Sequence, residues 1–264
     1  MKRWVNTSWV KTGISPSFLF MVLLIFIWEF MIKIIKLPEY ILPAPTSIAI
    51  SLINNFTLLL SHTKTTFLTA IVGLSMSIIV ALILSVVMDK VKTIKKVLYP
   101  LLIVSQTIPI IALAPLMIIW FGLGILPKIL VVALVCFFPI VVNLVNGLEN
   151  VDSELMELMK VMGVSPAMIF TTVQFPSVLP YFFSGLKISA TYSVMGAVIG
   201  EWLGASSGLG IYMTRAMHSY NTSNLFAAIL IVVLLSIFLF KIVDLLAWIS
   251  MPWNRAEEQT SWEE

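Results

Sequence analysis

The chain has 264 residues, of which 59% are hydrophobic and 11% are charged, and its formal net charge is +3. A soluble domain averages about 45–50% apolar and about 25% charged residues, so a soluble core of this size could not bury so much apolar surface. The composition therefore predicts an integral membrane protein. Because the net charge is small and the basic residues cluster in short loops, a nucleic-acid partner is not expected. The single cysteine, Cys136, excludes an intrachain disulfide and is interpreted as a small buried hydrophobe.

Six apolar segments are long enough to cross a bilayer core about 30 Å thick, which needs about 20 helical residues. They are 17–35, 65–88, 97–120, 128–147, 177–200 and 223–250. Helix is expected because unpaired backbone groups are too costly in hydrocarbon. The first segment has no small-residue cleavage site behind it, which favours a retained anchor over a signal peptide. With no internal repeat, the sequence predicts a single all-α transmembrane domain over 1–264, ending in an acidic, frayed tail at 254–264.

The connection at 37–63 opens with three helix-breaking prolines, Pro38, Pro43 and Pro45. Thr46 is then expected to cap an amphipathic stretch that ends near Leu60. The next connection, 89–96, carries four lysines and is predicted to be a cytoplasmic loop by the positive-inside rule.

This placement fixes the orientation of the other segments. The cytoplasmic set of basic residues becomes Lys2, Arg3, Lys11, Lys90, Lys92, Lys95, Lys96, Lys160, Lys187, Lys241 and Arg255. The outer set is Lys33, Lys36, Lys64, Lys128 and Arg215. Positive charge is in excess inside, so both termini are predicted to be cytoplasmic.

The third span contains three prolines, Pro100, Pro109 and Pro115. Each removes an intrahelical hydrogen bond and favours a kink. The carbonyls that a kink frees are tolerated only against protein or water. We therefore expect this span to face the interior of the protein.

Polar side chains within the spans are candidates for lining a solute pathway. They are Gln106, Thr107, Asn143, Ser189, Tyr192 and Ser193. The alternative is that they form helix–helix hydrogen bonds. Gly185, Gly196 and Gly200 flank the polar band of the fifth span and let helices approach closely.

Glu201 closes the fifth span beside a Gly- and Ser-rich segment, 201–223, in which a short helix is predicted near 211–218. Its carboxylate is a candidate for an outer gate or for a binding-protein dock, and the alternative is a solvated helix end. Other ionisable residues near span ends are interpreted as structural pairs. They are Glu29 with Lys33, and Lys241 with Asp244.

Residues 149–176 form a polar, partly helical island between two apolar spans. Asp152 or Ser153 is expected to cap a helix that runs to about Met162, with acidic residues in its first turns, where the helix dipole favours them. Gly163 can end this helix in a left-handed turn, and Ser165-Pro166 is typical of the start of a second helix. One apolar face is predicted from the spacing of Leu155, Leu158, Met159 and Met162. Two short helices at a sharp angle would form a compact knob.

The spacing within this island resembles the EAA loop of permease subunits in ABC-class importers. Gly163 lies six residues after Glu157, Val173 follows ten residues later, and Pro176 follows three after that. The resemblance covers about 37–250, through LPAPTSI at 42–48, IPIIALAPLMIIWFGLG at 108–124, FFPIVVN at 137–143 and GEWLGASSGLG at 200–210. These segments are similar to permeases of sulfonate, taurine, nitrate and thiamine-precursor importers, and 184–202 most resembles the branch for pyrimidine precursors of thiamine. The chain departs from the family at Leu158-Met159, where the family has Ala-Ala, and this implies a differently shaped ATPase groove.

The resemblance implies a type I ABC importer permease with six transmembrane helices, in a bacterial cytoplasmic membrane. Its expected partners are two cytoplasmic ABC ATPase copies, an extracytoplasmic solute-binding protein and a second permease copy. ATP and Mg would bind to the ATPase, so no cofactor is expected in this chain. The family's coupling role falls on Glu154, Glu157, Leu158, Met159, Gly163, Pro166, Val173 and Pro176. The implied solute is a hydroxymethylpyrimidine-type precursor or, alternatively, sulfonate, taurine or nitrate.

Motifs for other activities are missing from the sequence. Gly122–Lys128 approaches a phosphate-binding loop, but Pro127 replaces its second glycine and removes an amide that phosphates would need. His62 and His218 lack the spacing of metal ligands, and no serine or cysteine has a plausible catalytic partner.

The alternative from another class of protein is a gradient-driven secondary transporter. It predicts an inverted repeat and a membrane-buried ion site, and neither is found in the sequence.

Overall fold

The computed structural model describes residues 16–202 and 204–253, and every regular element in these ranges is helical. The helices are α1 (Pro16–Ile35), α2 (Pro45–Asn54), α3 (Phe56–Lys90), α4 (Lys92–Ser105), α5 (Ile110–Phe121), α6 (Leu126–Glu149), α7 (Ser153–Val161), α8 (Pro166–Ile169), α9 (Phe175–Glu201), α10 (Leu209–His218) and α11 (Thr222–Ser250). A π-helical turn, Phe170–Gln174, joins α8 to α9. The acidic tail predicted at 254–264 and the N-terminal basic residues lie outside the described residues.

Five of the six predicted spans are helices long and apolar enough to cross a membrane. They are α1, α3, α6, the run Pro166–Glu201 and α11. The remaining predicted span, at 97–120 with kinks at its prolines, is present as a pair of helices and not as one continuous helix. α4 and α5 occupy this region, and the two helices are bent by 105° at the break between them, so they count at most as one broken span.

Pro109 explains this break. It precedes α5 with an extended backbone (φ −61°, ψ 121°), it has no N–H to continue a helix, and it disfavours helix at Ile108. Pro100 and Pro115 lie inside α4 and α5 without ending them. The expectation that this span faces the interior holds only for one side of α5, where Ala114 and Met117 are buried; α4 has no buried residue.

The centre of the fold is built from α3, α6 and α9, with α11 packed against α9. Close approach of α6 and α9 depends on glycine, as predicted. A Cβ at Gly185 would lie 2.6 Å from the carbonyl oxygen of Pro139, and one at Gly200 would lie 3.2 Å from the Cα of Lys128. The buried side chains between these helices include Leu74, Ile140, Val141, Leu186 and Val194.

The start of α2 differs from the prediction. Ala44, not Thr46, is the N-cap residue, and it makes no side-chain cap hydrogen bond. Glu29 of α1 supplies the missing acceptor, because its carboxylate receives the N–H of Thr46 at 3.1 Å and the hydroxyl of Thr46 at 3.0 Å. The predicted ion pair of Glu29 with Lys33 is confirmed at 2.8 Å. Glu29 thus joins α1 to α2, and the helical stretch expected to reach Leu60 ends instead at Asn54.

Two further expectations are corrected. The lysine-rich 89–96 segment is not a loop, because only Val91 separates α3 from α4. Asp244 lies 3.9 Å from Lys241, but its closer partner is Lys187 of α9, at 2.6 Å. The predicted pair of Lys241 with Asp244 is therefore the longer contact, and the shorter ion pair joins α9 to α11.

Candidate functional site: a cytoplasmic knob, an outer latch and a cavity at the helix break

The knob, residues 152–166, begins at Asp152. Its Oδ1 accepts the N–H groups of Glu154 at 2.9 Å and Leu155 at 3.0 Å, so it caps α7 as predicted. The Glu154 carboxylate lies in the first turn, where the helix dipole favours negative charge. The start of α7 is thus fixed by interactions within four residues of sequence.

Gly163 ends α7 in the predicted left-handed turn, with φ +79°. The N–H of Gly163 donates to the carbonyl of Lys160, and the N–H of Val164 donates to that of Met159, both at 3.0 Å. These two bonds form a Schellman motif.

Ser165 then caps α8. Its hydroxyl accepts the N–H of Met168 at 3.4 Å, and Pro166 takes the first helical position, as predicted. The chain therefore changes direction within the four residues between α7 and α8.

The second helix of the knob is not a separate short helix. α8 continues through the π-helical turn into α9, so Val173 and Pro176 belong to one helical run and not to the knob. Pro176 offers a reason for the π-helical turn, since its ring would press on the carbonyl four residues earlier. The N–H of Phe175 accordingly donates to the carbonyl of Phe170, five residues back.

The apolar face of α7 is exposed. Leu158 is 56% exposed and Met162 is 72% exposed, while Met159 is half-buried. Glu157 is exposed beside them, and none of the nine residues of α7 is buried. Exposed apolar side chains on a well-capped helix are typical of a surface that another protein covers.

The helical run that begins with α8 ends at Glu201, in a second cluster of polar groups. We call this cluster the outer latch; it is formed by His62, Thr66, Glu201 and the segment 208–210. Glu201 is fully buried. Its carboxylate accepts the hydroxyl of Thr66 at 3.0 Å and the N–H of Gly210 at 2.8 Å. Glu201 is therefore not a solvated helix end, and it presents no exposed carboxylate to an external protein.

Backbone groups of the latch complete these contacts. The N–H of Leu209 donates to the hydroxyl oxygen of Thr66 at 2.8 Å, and the N–H of Gly208 donates to Nδ1 of His62 at 2.9 Å. Gly208 has φ +125°, and a Cβ there would overlap the Glu201 carboxylate. The sequence analysis did not identify His62 and Thr66 as site residues. Their i, i+4 spacing on α3, which places both side chains on one face of the helix, could have indicated that they act together.

Three of the predicted pathway residues donate hydrogen bonds to backbone carbonyls of the helices. The Ser189 hydroxyl donates to the carbonyl of Cys136 at 2.7 Å, which joins α9 to α6. The Ser193 hydroxyl is buried and donates to Ala190 of its own helix at 2.8 Å. Asn143 donates to Pro139 of its own helix at 2.7 Å. Of these three residues, Ser189 therefore forms a hydrogen bond between helices, which was the alternative to lining a solute pathway.

Gln106 and Tyr192, by contrast, come together at the break between α4 and α5. They line a cavity of about 250 Å³, the bend cavity, with Ser105, Phe138 and Pro139 among its other walls. Thr107 is exposed next to it, and its hydroxyl donates to Val104 at 2.7 Å. None of the described residues that line the bend cavity is charged. The cavity thus offers an amide, a phenol and a hydroxyl in an otherwise apolar wall.

The described part of the chain, in which every regular element is helical, has five or six membrane-length segments and an exposed knob, and this is the architecture of a type I ABC importer permease. It superposes on a chain of the inward-facing MetNI methionine ABC transporter with a TM-score of 0.63, covering 73% of this chain and 95% of that one at 20% identity. Residues 73–253 match the family described as binding-protein-dependent transport system inner membrane component. The chain belongs to this family and is a multi-pass inner-membrane permease subunit of an ABC importer, which decides against the gradient-driven alternative.

Three named relatives align over most of their length. The formylaminopyrimidine transport permease protein ThiX of Halalkalibacterium halodurans is 38% identical, over 93% of this chain and 98% of ThiX. The riboflavin transport system permease protein RibX of Chloroflexus aurantiacus is 32% identical, over 94% and 92%. The putative aliphatic sulfonates transport permease protein SsuC of Bacillus subtilis is 28% identical, over 95% and 90%.

Proposed function

We propose that this permease imports a neutral, nitrogen-containing heteroaromatic solute, a hydroxymethylpyrimidine-type thiamine precursor, and that a separate ABC ATPase drives it through the knob. The observation that carries the proposal is the exposed apolar face of α7, held on the end of a helical run that continues across the membrane to Glu201. An external binding protein would deliver the solute.

The coupling step follows from the rigidity of the knob. Asp152 caps α7, Ser165 caps α8, and Gly163 fixes the turn between these helices. A groove on the ATPase that covers Leu158 and Met162 would bury apolar surface without reorganising the knob, so little binding energy is lost to ordering. Motion of the ATPase would then move α8 and α9 together.

The choice of solute rests on the bend cavity. The amide of Gln106 and the phenol of Tyr192 can each donate and accept hydrogen bonds, as the ring nitrogens and substituents of a pyrimidine require. Phe138 offers an aromatic surface for a planar ring. A sulfonate is always charged, and no described residue lining the cavity offers a compensating cation. The identity to ThiX supports the same solute class.

We also propose that two copies of the chain form the pathway. In α4 and α5 the exposed apolar side chains include Ile103, Val104, Leu116, Ile119 and Trp120, and the described part of the chain leaves them uncovered. A second copy would cover this surface and close the bend cavities around a shared path. Cysteines introduced at exposed α5 positions would cross-link across such an interface, and failure to form dimers would count against it.

Uptake into proteoliposomes tests the proposal. The permease would be reconstituted with its ATPase and binding protein and offered a labelled hydroxymethylpyrimidine-type precursor or an alkanesulfonate, with and without ATP on the ATPase side. ATP-dependent pyrimidine uptake alone is the expected result. ATP-dependent uptake of the sulfonate alone would overturn the solute assignment and leave the coupling assignment intact.

A further inference from the structure

A second cavity, the junction cavity, opens where α3 meets α4. Its volume is about 500 Å³, and it lies between the end of α3, the first two turns of α4 and the last turn of α6. Its polar lining consists of Asp89, Lys92, Lys95, Lys96, Tyr99 and Glu149. The positive-inside rule assigns this lysine-rich end to the cytoplasm. None of these residues belongs to the knob, the outer latch or the bend cavity.

The charges in the junction cavity do not cancel. Nζ of Lys95 lies 2.5 Å from Oε1 of Glu149, so this pair neutralises itself and ties α4 to α6. Lys92 and Lys96 make no ion pair with any residue in the described ranges. Asp89 is the other carboxylate that lines the cavity, so the lining contains three lysines and two carboxylates. The cavity therefore keeps an excess of positive charge, which favours an anionic ligand.

The floor of the cavity and the helix beyond it are apolar. The apolar residues of the lining are Met88, Pro100 and Leu148, which we call the floor. On α4, Val97 and Leu101 are exposed and uncovered by the described part of the chain. The surface thus passes from lysines to apolar side chains along one helix. A phospholipid has the same division, with its phosphate at the membrane surface and its acyl chains in hydrocarbon.

We propose that the junction cavity binds an anionic phospholipid of the cytoplasmic leaflet. Its phosphate lies between Lys92 and Lys96, and an acyl chain follows α4 past Leu101. A free phosphate would use only the lysines and would leave the apolar floor empty. Because Val91 alone separates α3 from α4, a lipid held there also fixes how α4 leaves α3, and α4 leads directly to the bend cavity.

Native mass spectrometry of the full-length permease tests this site. It would be titrated with phosphatidylglycerol, with phosphatidylcholine and with glycerol phosphate. The test variant is K92Q/K96Q. The matched control is K36Q/K64Q, which removes the same charge from two exposed lysines of the outer set. We expect one tightly bound phosphatidylglycerol in the wild type and the control, and at least about tenfold weaker binding in the test variant.

A charge-preserving variant, K92R/K96R, is expected to retain the lipid. If size-exclusion chromatography shows that K92Q/K96Q is not a single folded species, the lipid affinity is measured on the single variants Lys92→Gln and Lys96→Gln instead. The proposal is overturned if phosphatidylcholine or glycerol phosphate binds as tightly as phosphatidylglycerol, or if K92Q/K96Q keeps its lipid affinity. Loss of ATPase association with unchanged lipid affinity would identify the junction cavity as a protein dock instead.

Discussion

The hydroxyl of Thr66 lies 3.0 Å from both carboxylate oxygens of Glu201, although 135 positions separate the two residues in the chain. The same hydroxyl oxygen accepts the N–H of Leu209. One threonine of α3 therefore holds both the end of α9 and the start of α10. Since all of these groups are buried, each contact that is lost leaves a polar group without water to replace it.

Thr66→Val is expected to destabilise the permease by about 1–3 kcal/mol, because the Glu201 carboxylate loses a donor and the Leu209 N–H loses its acceptor. Thermal unfolding in detergent measures the effect. Thr63→Val is the matched control, since the Thr63 hydroxyl donates only to Leu59 of its own helix, at 2.7 Å. Equal losses of stability in the two variants would show that the contacts of Thr66 with Glu201 and Leu209 add no stability beyond that of an ordinary intrahelical hydrogen bond.

Gly208→Ala is expected to cost more than Gly122→Ala. Both glycines combine a positive φ with an extended ψ, a region that is essentially restricted to glycine, so either substitution carries backbone strain of about 1–3 kcal/mol. An added Cβ at Gly122 meets nothing within 4 Å, whereas at Gly208 it overlaps the Glu201 carboxylate. The difference between the two unfolding temperatures isolates this overlap. If the variants unfold at the same temperature, the latch can relax around a methyl group.

Leu158→Glu is expected to reduce ATPase association at least about tenfold, since it places a charge in the centre of an apolar contact. The folded permease should remain equally stable, because the side chain is exposed. Co-purification with the ATPase measures association, and thermal unfolding checks stability. Leu158→Met conserves the apolar volume and should bind normally. Unchanged ATPase binding by Leu158→Glu would remove α7 from the coupling surface.

Tyr192→Phe and Gln106→Leu are expected to reduce solute uptake several-fold each, because each removes the hydrogen-bonding atoms from the bend cavity and keeps most of the side-chain volume. ATPase association should not change. The control is Thr191→Val, whose hydroxyl donates to Ile188 of its own helix at 2.7 Å. Uptake is measured in proteoliposomes at several solute concentrations. Wild-type uptake by both cavity variants would place the pathway elsewhere.

The knob could be predicted from sequence almost in full. Its cap at Asp152, its stop at Gly163 and its second cap at Ser165 each depend on groups a few residues away. Such local rules act before any tertiary contact forms. Only the extent of the second helix was missed, because α8 runs on into α9.

The outer latch could not be predicted, since its parts come from α3, α9 and the segment before α10. The sequence marks Glu201 as unusual but carries no signal for which distant residue faces it. For the third span, the sequence predicted kinks at its prolines but not the separation into two helices. The sequence contains three prolines in this span, and nothing in it distinguishes Pro109, which separates two helices, from Pro100 and Pro115, which lie within them.

The helical run Pro166–Glu201 contains 36 residues, which at about 1.5 Å per residue gives a rod about 54 Å long. The knob is at one end and the latch carboxylate is at the other, with no loop between them. A rotation imposed on Pro166 therefore reaches the Thr66 contact directly, and the π-helical turn is where the rod can bend most easily. If the ATPase moves the knob as proposed, that displacement would reach the outer latch through this one helical run, without a relay through the solute.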